Sequence, residues 1–328
     1  MIRVAVDAMG GDRGPEEIVA GALAARGETL EPVLFGDAGL DSRGLAHHPT
    51  TGAIEMHEKP AEAVRAKPES SLVAAVRAVA EGRADAVVSA GNTGAVLAAG
   101  LLELRRIPGV LRPAIAVPIP GERGPSVLLD AGANADARPE HLLQFATMGA
   151  VFAAEILDVP SPTVRLLSIG EEREKGNQLT LEAHELLAQS DLDFRGNTEG
   201  RDILRSPADV VVTDGFTGNV VLKTLEGTIR AILDALRAEV AATTKGRLGG
   251  LLIRPAARRL RHRLDQDTYG GAYLLGLKGL AVVAHGNSSR SAIANAIRLA
   301  ARGAEHDVVG RLGPRLAAQT QVGQTEVV

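Results

Sequence analysis

The sequence predicts an α/β fold, a three-layer αβα sandwich with a mostly parallel central sheet. Three observations carry that prediction. Short aliphatic runs such as IRVAV (2–6), VRLLSIG (164–170) and ADVVVTDG (208–215) are apolar continuously rather than alternately, as strands covered on both faces are. Segments with helical spacing alternate with them. Six polar glycine turns follow such runs: DAMGGDRGP (7–15), SAGNTGA (89–95), LDAGAN (129–134), SIGEEREKGN (168–177), TDGFTGN (213–219) and HGNSS (285–289). Ligands of open α/β sheets bind beyond the carboxyl ends of the strands, so these turns predict one shared cleft.

Taken in order, IRVAV leads into a helix opened by Pro15, whose missing N–H costs nothing there, with Glu16 and Glu17 complementing the positive end of the dipole. PVLFG (32–36) and AIEMH (53–57) read as further strands. Residues 61–85 read as two helices broken at Pro68, the second capped by Ser70 or Ser71 and ended by Gly82. AVVSAGNTGAVLAAGLLEL repeats strand, turn and helix. AIAVPIP and PSVLLDAGAN are buried strands joined by a turn, and 138–157 is a long helix. The helix over roughly 218–243 is the longest. After the run GLAVVA, the positions Ala292, Ile293, Ala296, Ile297 and Ala300 form one stripe, predicting a helix from near Ser288, capped by Ser288 or Ser289. Its start would aim free N–H groups at an anion; the competing reading is a plain capped junction. Residues 1–318 thus read as a single catalytic α/β domain, and 319–328, which lack hydrophobic periodicity, as a frayed tail.

One region breaks the pattern. KGRLGGLLIRPAARRLRHRL (245–264) has no acidic residue; Leu252, Ala256, Leu260 and Leu264 recur every four positions among Arg254, Arg258, Arg259, Arg261 and Arg263. It reads as part of a protruding basic helical hairpin at about 240–265. Such a helix can lie on an anionic membrane surface, its apolar face shallowly buried. Packing in a dimer interface is the alternative, and the two can coexist.

The 328 residues are 45% hydrophobic and 23% charged with net charge −4, ordinary for a globular protein and too acidic for a general nucleic-acid binder. No Trp, two Tyr and five Phe offer little for stacking bases. The absence of cysteine excludes disulfides, a thiolate nucleophile and Cys-ligated metal. The opening strand has no charged-then-apolar leader, and no apolar run spans a bilayer, so a cytoplasmic protein is expected.

The ordered set DAMGGDRGP, SAGNTGA, LDAGAN, GEEREKGN, TDGFTGNVVLKTLEG and YGGAYLLGLKG…HGNSS closely resembles the PlsX phosphate acyltransferases of phospholipid synthesis, from residue 2 to about 300. The resemblance implies a fold like phosphotransacetylases and isopropylmalate dehydrogenases, and a homodimer peripherally associated with the inner face of the membrane. It also implies the reaction: inorganic phosphate attacks the thioester of long-chain acyl–acyl carrier protein, giving acyl phosphate and free carrier protein. Tyr273 stands where the family block reads proline, a departure bearing on loop shape and on the wall of an acyl pocket.

That chemistry suits the residues. Phosphate is already an oxygen nucleophile, so no acyl-enzyme is required. The protein must position a dianion and stabilise an oxyanion. Lys175, in a glycine-bearing turn, is the first choice for phosphate charge balance; the competing reading is a solvated lysine. Asn219 and the amides near Gly218 could donate to phosphate or oxyanion, and His285 could hold phosphate or protonate the departing thiolate, unless it is a structural histidine. Ser89, Asn92, Thr93 and Gly94 form a second cluster, and Ser288 and Ser289 belong to the expected anion site. Asp7, Asp12, Asp130 and Asp214 oppose phosphate and are assigned loop-orienting or capping roles. No ligand spacing demands a metal, and no cofactor is expected. Two rival classes are a metal- and NAD-dependent decarboxylating dehydrogenase, weakened because Gly10, Gly11 and Gly14 do not form GxGxxG, and a non-catalytic scaffold docking carrier protein at a membrane.

Overall fold

The computed structural model describes residues 1–122, 124–264 and 268–325. Eleven strands form one sheet in the spatial order β3-β2-β1-β4-β11-β10-β5-β6-β9-β7-β8. In chain order they are β1 (Ile2–Asp7), β2 (Leu30–Asp37), β3 (Ala46–Thr50), β4 (Ala86–Ser89), β5 (Ala114–Ile119), β6 (Ser126–Leu129), β7 (Thr163–Ser168), β8 (Asp193–Glu199), β9 (Val210–Val212), β10 (Ala272–Leu275) and β11 (Leu280–Val283). The helices are α1 (Pro15–Ala25), α2 (Pro60–Ala66), α3 (Ser71–Ala80), α4 (Thr93–Ala99), α5 (Pro139–Ile156), α6 (Gln178–Ala188), α7 (Gly215–Ala242), α8 (Thr244–Leu264), α9 (Arg290–Glu305) and α10 (Val308–Thr325).

Alternation along each strand builds two cores. Val4, Val6, Ala86, Val88, Tyr273 and Leu275 face one layer, made by α1, α5, α6, α9 and α10. Ala5, Val87 and Leu274 face the other, made by α2, α3, α4 and the first turns of α7. The expected three layers are therefore present.

The direction of the strands matters more for the site. β3, β2, β1, β4 and β11 are mutually parallel, as are β6, β9, β7 and β8. Between the two sets, β11–β10, β10–β5 and β5–β6 are all antiparallel. Three reversals leave the two parallel sets running in opposite directions. The glycine turns after β1, β4 and β11 thus leave one edge of the sheet, and those after β6, β7 and β9 leave the other. They do not gather on a single rim, contrary to the expectation from sequence; only the turns after β4 and β11 on one side and after β6 and β9 on the other approach each other, beside β5 and β10.

Several local expectations change. AIEMH is not a strand: Met56 and His57 form a turn, the Asn92 side chain donates to Met56 O (3.0 Å) and Glu58 O (3.2 Å), and β3 lies earlier, at Ala46–Thr50. β8 and β3 are sheet edges with polar sequences, DFRGNTE and AHHPT. Ser70 occupies the N-cap of α3 without a side-chain cap bond, and Ser71 donates instead to Asp7. From Gln319, where fraying was expected, the backbone continues α10 to Thr325, and 326–328 lie outside the described residues. Residues 244–264 form one helix, α8, with no buried residue; it packs on the longer α7, so the helical hairpin spans 215–264 rather than 240–265. No helix of the described residues is long and apolar enough to cross a membrane.

Candidate active site

α7 supplies one wall of the site. Asp214 caps it, accepting from Thr217 N at 2.8 Å, and Gly215 N donates to Asn134 O at 2.8 Å. These bonds fix the helix start at the edge where β6 and β9 end. Spacings of four and three then place Asn219, Lys223 and Glu226 on one face of the helix. Opposite stands the β11–α9 turn: His285 Nε2 lies 3.4 Å from Glu226 Oε1, and Lys223 Nζ lies 2.9 Å from Glu226 Oε2.

Between these walls is a cavity of about 410 Å³. Its polar lining includes Thr93, Asn219, Lys223, His285 and Ser288; its apolar lining includes Ile115 and Val117 of β5, Leu222 of α7 and Val283 of β11. Gly270, Gly271 and Ala272 lead into β10 along the same wall. A cavity of this size, mostly apolar with a few convergent polar groups, is the usual form of a small-molecule site. Ser288 is buried, its Oγ has no hydrogen-bond partner, and its amide donates to His285 O at 2.9 Å, tying cap and turn together.

Buried carboxylates hold the surrounding turns. Asp7 accepts from Ser71 Oγ (2.6 Å), Ser89 Oγ (2.7 Å), Gly10 N (3.2 Å) and Met9 N (3.3 Å), joining β1, α3 and β4. Burial nevertheless raises its carboxyl above the ordinary value, against the hydrogen bonds, which lower it. Asp130 is raised by burial too, although it accepts from the amides of Ile115, Gly132, Ala133 and Asn134 and from the Asn134 side chain. Asp214 caps α7, and Asp12 N donates to Gly286 O at 2.6 Å. The carboxylates of Asp7, Asp130 and Asp214 thus take orienting or capping positions, whereas Asp12 ties its turn through its backbone amide. Among the described residues no group of three or more His, Asp or Glu is placed to hold a metal ion.

Of the residues singled out from sequence, Thr93, Asn219, His285 and Ser288 meet at this cavity. The others do not line it. Ser89 is committed to Asp7 and Gly91 N. Asn92 caps α4, accepting from Ala95 N at 3.1 Å. A Cβ on Gly94 would press on Pro60, and one on Gly218 on the Asp130 carbonyl, so both serve close packing. Ser289 caps α9, accepting from Ala292 N at 3.4 Å. The anion expected at that helix start is the protein's own: the Glu17 carboxylate of α1 accepts from Arg290 N at 2.9 Å and pairs with its guanidinium.

Lys175 is exposed on the β7–α6 turn, at the edge from which α7 also starts. Its turn is pinned from below. Ser168 Oγ donates to Lys175 O (2.8 Å), and Asn197 Nδ2 donates to Glu172 O (2.9 Å), while Asn197 Oδ1 faces buried His184 Nδ1 at 2.9 Å. Tyr273, expected at the acyl-pocket wall, points to the opposite core. There it meets Phe152 edge-on, ring centroids 4.9 Å apart, and its hydroxyl donates to Leu299 O. Burial pushes this phenol above its ordinary value. Lys223 and Glu226 were missed; their spacing from Asn219 was the signal that could have found them.

The family model described as "Fatty acid synthesis protein" matches residues 2–311. A "Phosphate acyltransferase" of Moorella thermoacetica is 47% identical over 322 residues, 95% of each chain. One of Heliobacterium modesticaldum is 45% identical over 333 residues, 98% of this chain and 99% of that protein. Among solved structures, a phosphotransacetylase from Streptococcus pyogenes superposes with a TM-score of 0.60 at 19% identity, covering 93% of this chain and 94% of its own, a likeness of fold.

Proposed function

This chain belongs to the fatty acid synthesis protein family, alongside its phosphate acyltransferase relatives, and we propose that, as an acyltransferase, it moves a long-chain acyl group from acyl carrier protein to inorganic phosphate. The observation that carries this reading is the single cavity where Asn219, His285, Thr93 and Ser288 converge beside an apolar wall from β5, α7 and β11. A thioester carbonyl needs both parts at once: polar donors at the reacting atoms and an apolar surface for the acyl chain.

A phosphate oxygen attacks the carbonyl carbon, and the carbonyl oxygen becomes an oxyanion. Asn219 Nδ2 and the Ser288 hydroxyl are the donors offered to that charge, which preorganised groups in a desolvated site stabilise strongly. The C–S bond then breaks, leaving acyl phosphate. The proton that phosphate surrenders ends on the carrier-protein sulfur, and His285, with one ring nitrogen toward Glu226, is the group placed to pass it. Lys175 supplies charge balance as phosphate enters from the edge where α7 begins.

The α7–α8 hairpin is the membrane element of this reading. Leu252 is 79% exposed, Leu248, Leu251 and Ile253 are exposed beside it, and Arg254, Arg258, Arg259 and Arg261 are exposed on the same helix. In a homodimer, paired hairpins would meet one anionic surface from the cytoplasmic side.

Phosphate-dependent loss of the thioester of acyl–acyl carrier protein, with acyl phosphate trapped as its hydroxamate, tests the reading. Thioester loss independent of phosphate, or reduction of NAD by hydroxy acids, would overturn it.

A further inference from the structure

We propose that Lys223 is the cation that meets phosphate inside the cavity, and that Glu226 is the positioning residue that stations both Lys223 and His285 there. The assignment rests on the acyl-transfer reading above and gives its phosphate subsite an address. Among the described residues lining the cavity, Lys223 alone carries a fixed positive charge. Lys175, on the β7–α6 turn, does not line it.

The geometry gives the two residues distinct tasks. Glu226 presents Oε2 to Lys223 Nζ at 2.9 Å and Oε1 to His285 Nε2 at 3.4 Å, so one carboxylate draws in a group from each wall. Oε1 is buried and makes no hydrogen bond of normal length, so His285 needs only a small approach to satisfy it. The Lys223 side chain is 52% exposed. Water keeps solvating the Lys223 amine in this pair, which weakens its hold on the more buried Glu226 carboxylate. Lys223 can therefore leave Glu226 for a dianion without appreciable loss. Phosphate brings more charge and more acceptor oxygens than one carboxylate, and it arrives where Asn219, four residues back on the same helix face, is also waiting. Glu226 touches neither phosphate nor thioester; it holds their partners ready in the empty site.

Steady-state kinetics on Lys223→Gln, Lys223→Arg and Glu226→Gln, with thermal unfolding of each, test this. Lys223→Gln is expected to raise the phosphate KM ~10-fold or more, the scale of a lost charged hydrogen bond, while the acyl-donor KM stays near wild type. Lys223→Arg, which keeps the charge, should recover much of the phosphate KM. Glu226→Gln should lower kcat without raising the phosphate KM, since it removes a negative charge but leaves Lys223. An unchanged phosphate KM in Lys223→Gln overturns the cation, and an unchanged kcat in Glu226→Gln overturns the positioning role. Wild-type protein without phosphate-dependent turnover would instead overturn the acyl-transfer reading itself.

Discussion

Gly218 lies so close to Asp130 that a Cβ on the glycine would overlap the main-chain carbonyl oxygen of the aspartate. The first turn of α7 is thereby seated directly on the loop that ends β6, one residue before Asn219. Gly218→Ala must push the helix away from that loop. Overpacking of this kind costs ~1–3 kcal/mol, and because it displaces Asn219 and Lys223 together, turnover should fall beyond the loss of folded protein. Comparing activity per folded molecule with the unfolding midpoint checks this; normal activity would mean that the seat is not needed.

Lys175→Ala should cut turnover, or raise the phosphate requirement, by at least ~10-fold, equivalent to about 1.4 kcal/mol on the barrier. The exposed side chain can be removed without touching the hydrogen bonds of its own turn, which run through its backbone carbonyl and through Asn197. Wild-type phosphate kinetics would take Lys175 out of the reaction.

Replacing Arg258, Arg259 and Arg261 together with Glu should abolish binding to anionic vesicles and spare turnover on soluble substrate. The three arginines lie in α8, which contributes nothing to either core, so folding should be unaffected. Vesicle sedimentation measures the first effect, and unchanged binding would return the hairpin to a structural role.

Asp7 makes stability depend on pH in a direction opposite to most carboxylates. Its folded-state carboxyl is raised above 3.8 by burial. The folded form therefore holds the proton more tightly than the unfolded chain. The stabilisation is complete below the unfolded value and is lost as pH climbs through the folded one. Asp7→Asn, which cannot ionise, should lack this decline. Denaturant unfolding of both proteins across acidic pH should show wild type losing ground to the variant as pH rises; a constant difference would refute it.

Much of this was legible in the chain because burial on both faces imposes a plain signature. β1, β7, β9 and β11 read as apolar runs, and Pro15, Pro68 and Gly82 marked helix boundaries where the structure has them. β8 and β3 escaped because edge strands need no continuous apolar sequence. AIEMH misled for the converse reason: its alternating apolar residues belong to a loop held by Asn92, with Met56 at the cavity. Strand direction was also invisible. A glycine turn has the same composition whichever way its strand runs, so the convergence of Asn219 with His285 could be expected but not the opposite edges from which they come. The spacing of Lys223 and Glu226 from Asn219 gave away their shared helix face, but not that His285 stands across from it.

The reversal at β10 and β5 has a bearing on how the molecule can be divided. Thr93 and His285 reach the cavity from one parallel set of strands and Asn219 from the other, and Ile115 comes from the seam between them. Any cut that separates the two sets therefore leaves each fragment with an incomplete cavity lining, however well it folds. Recombining such fragments should restore turnover only when β5 and β10 re-pair.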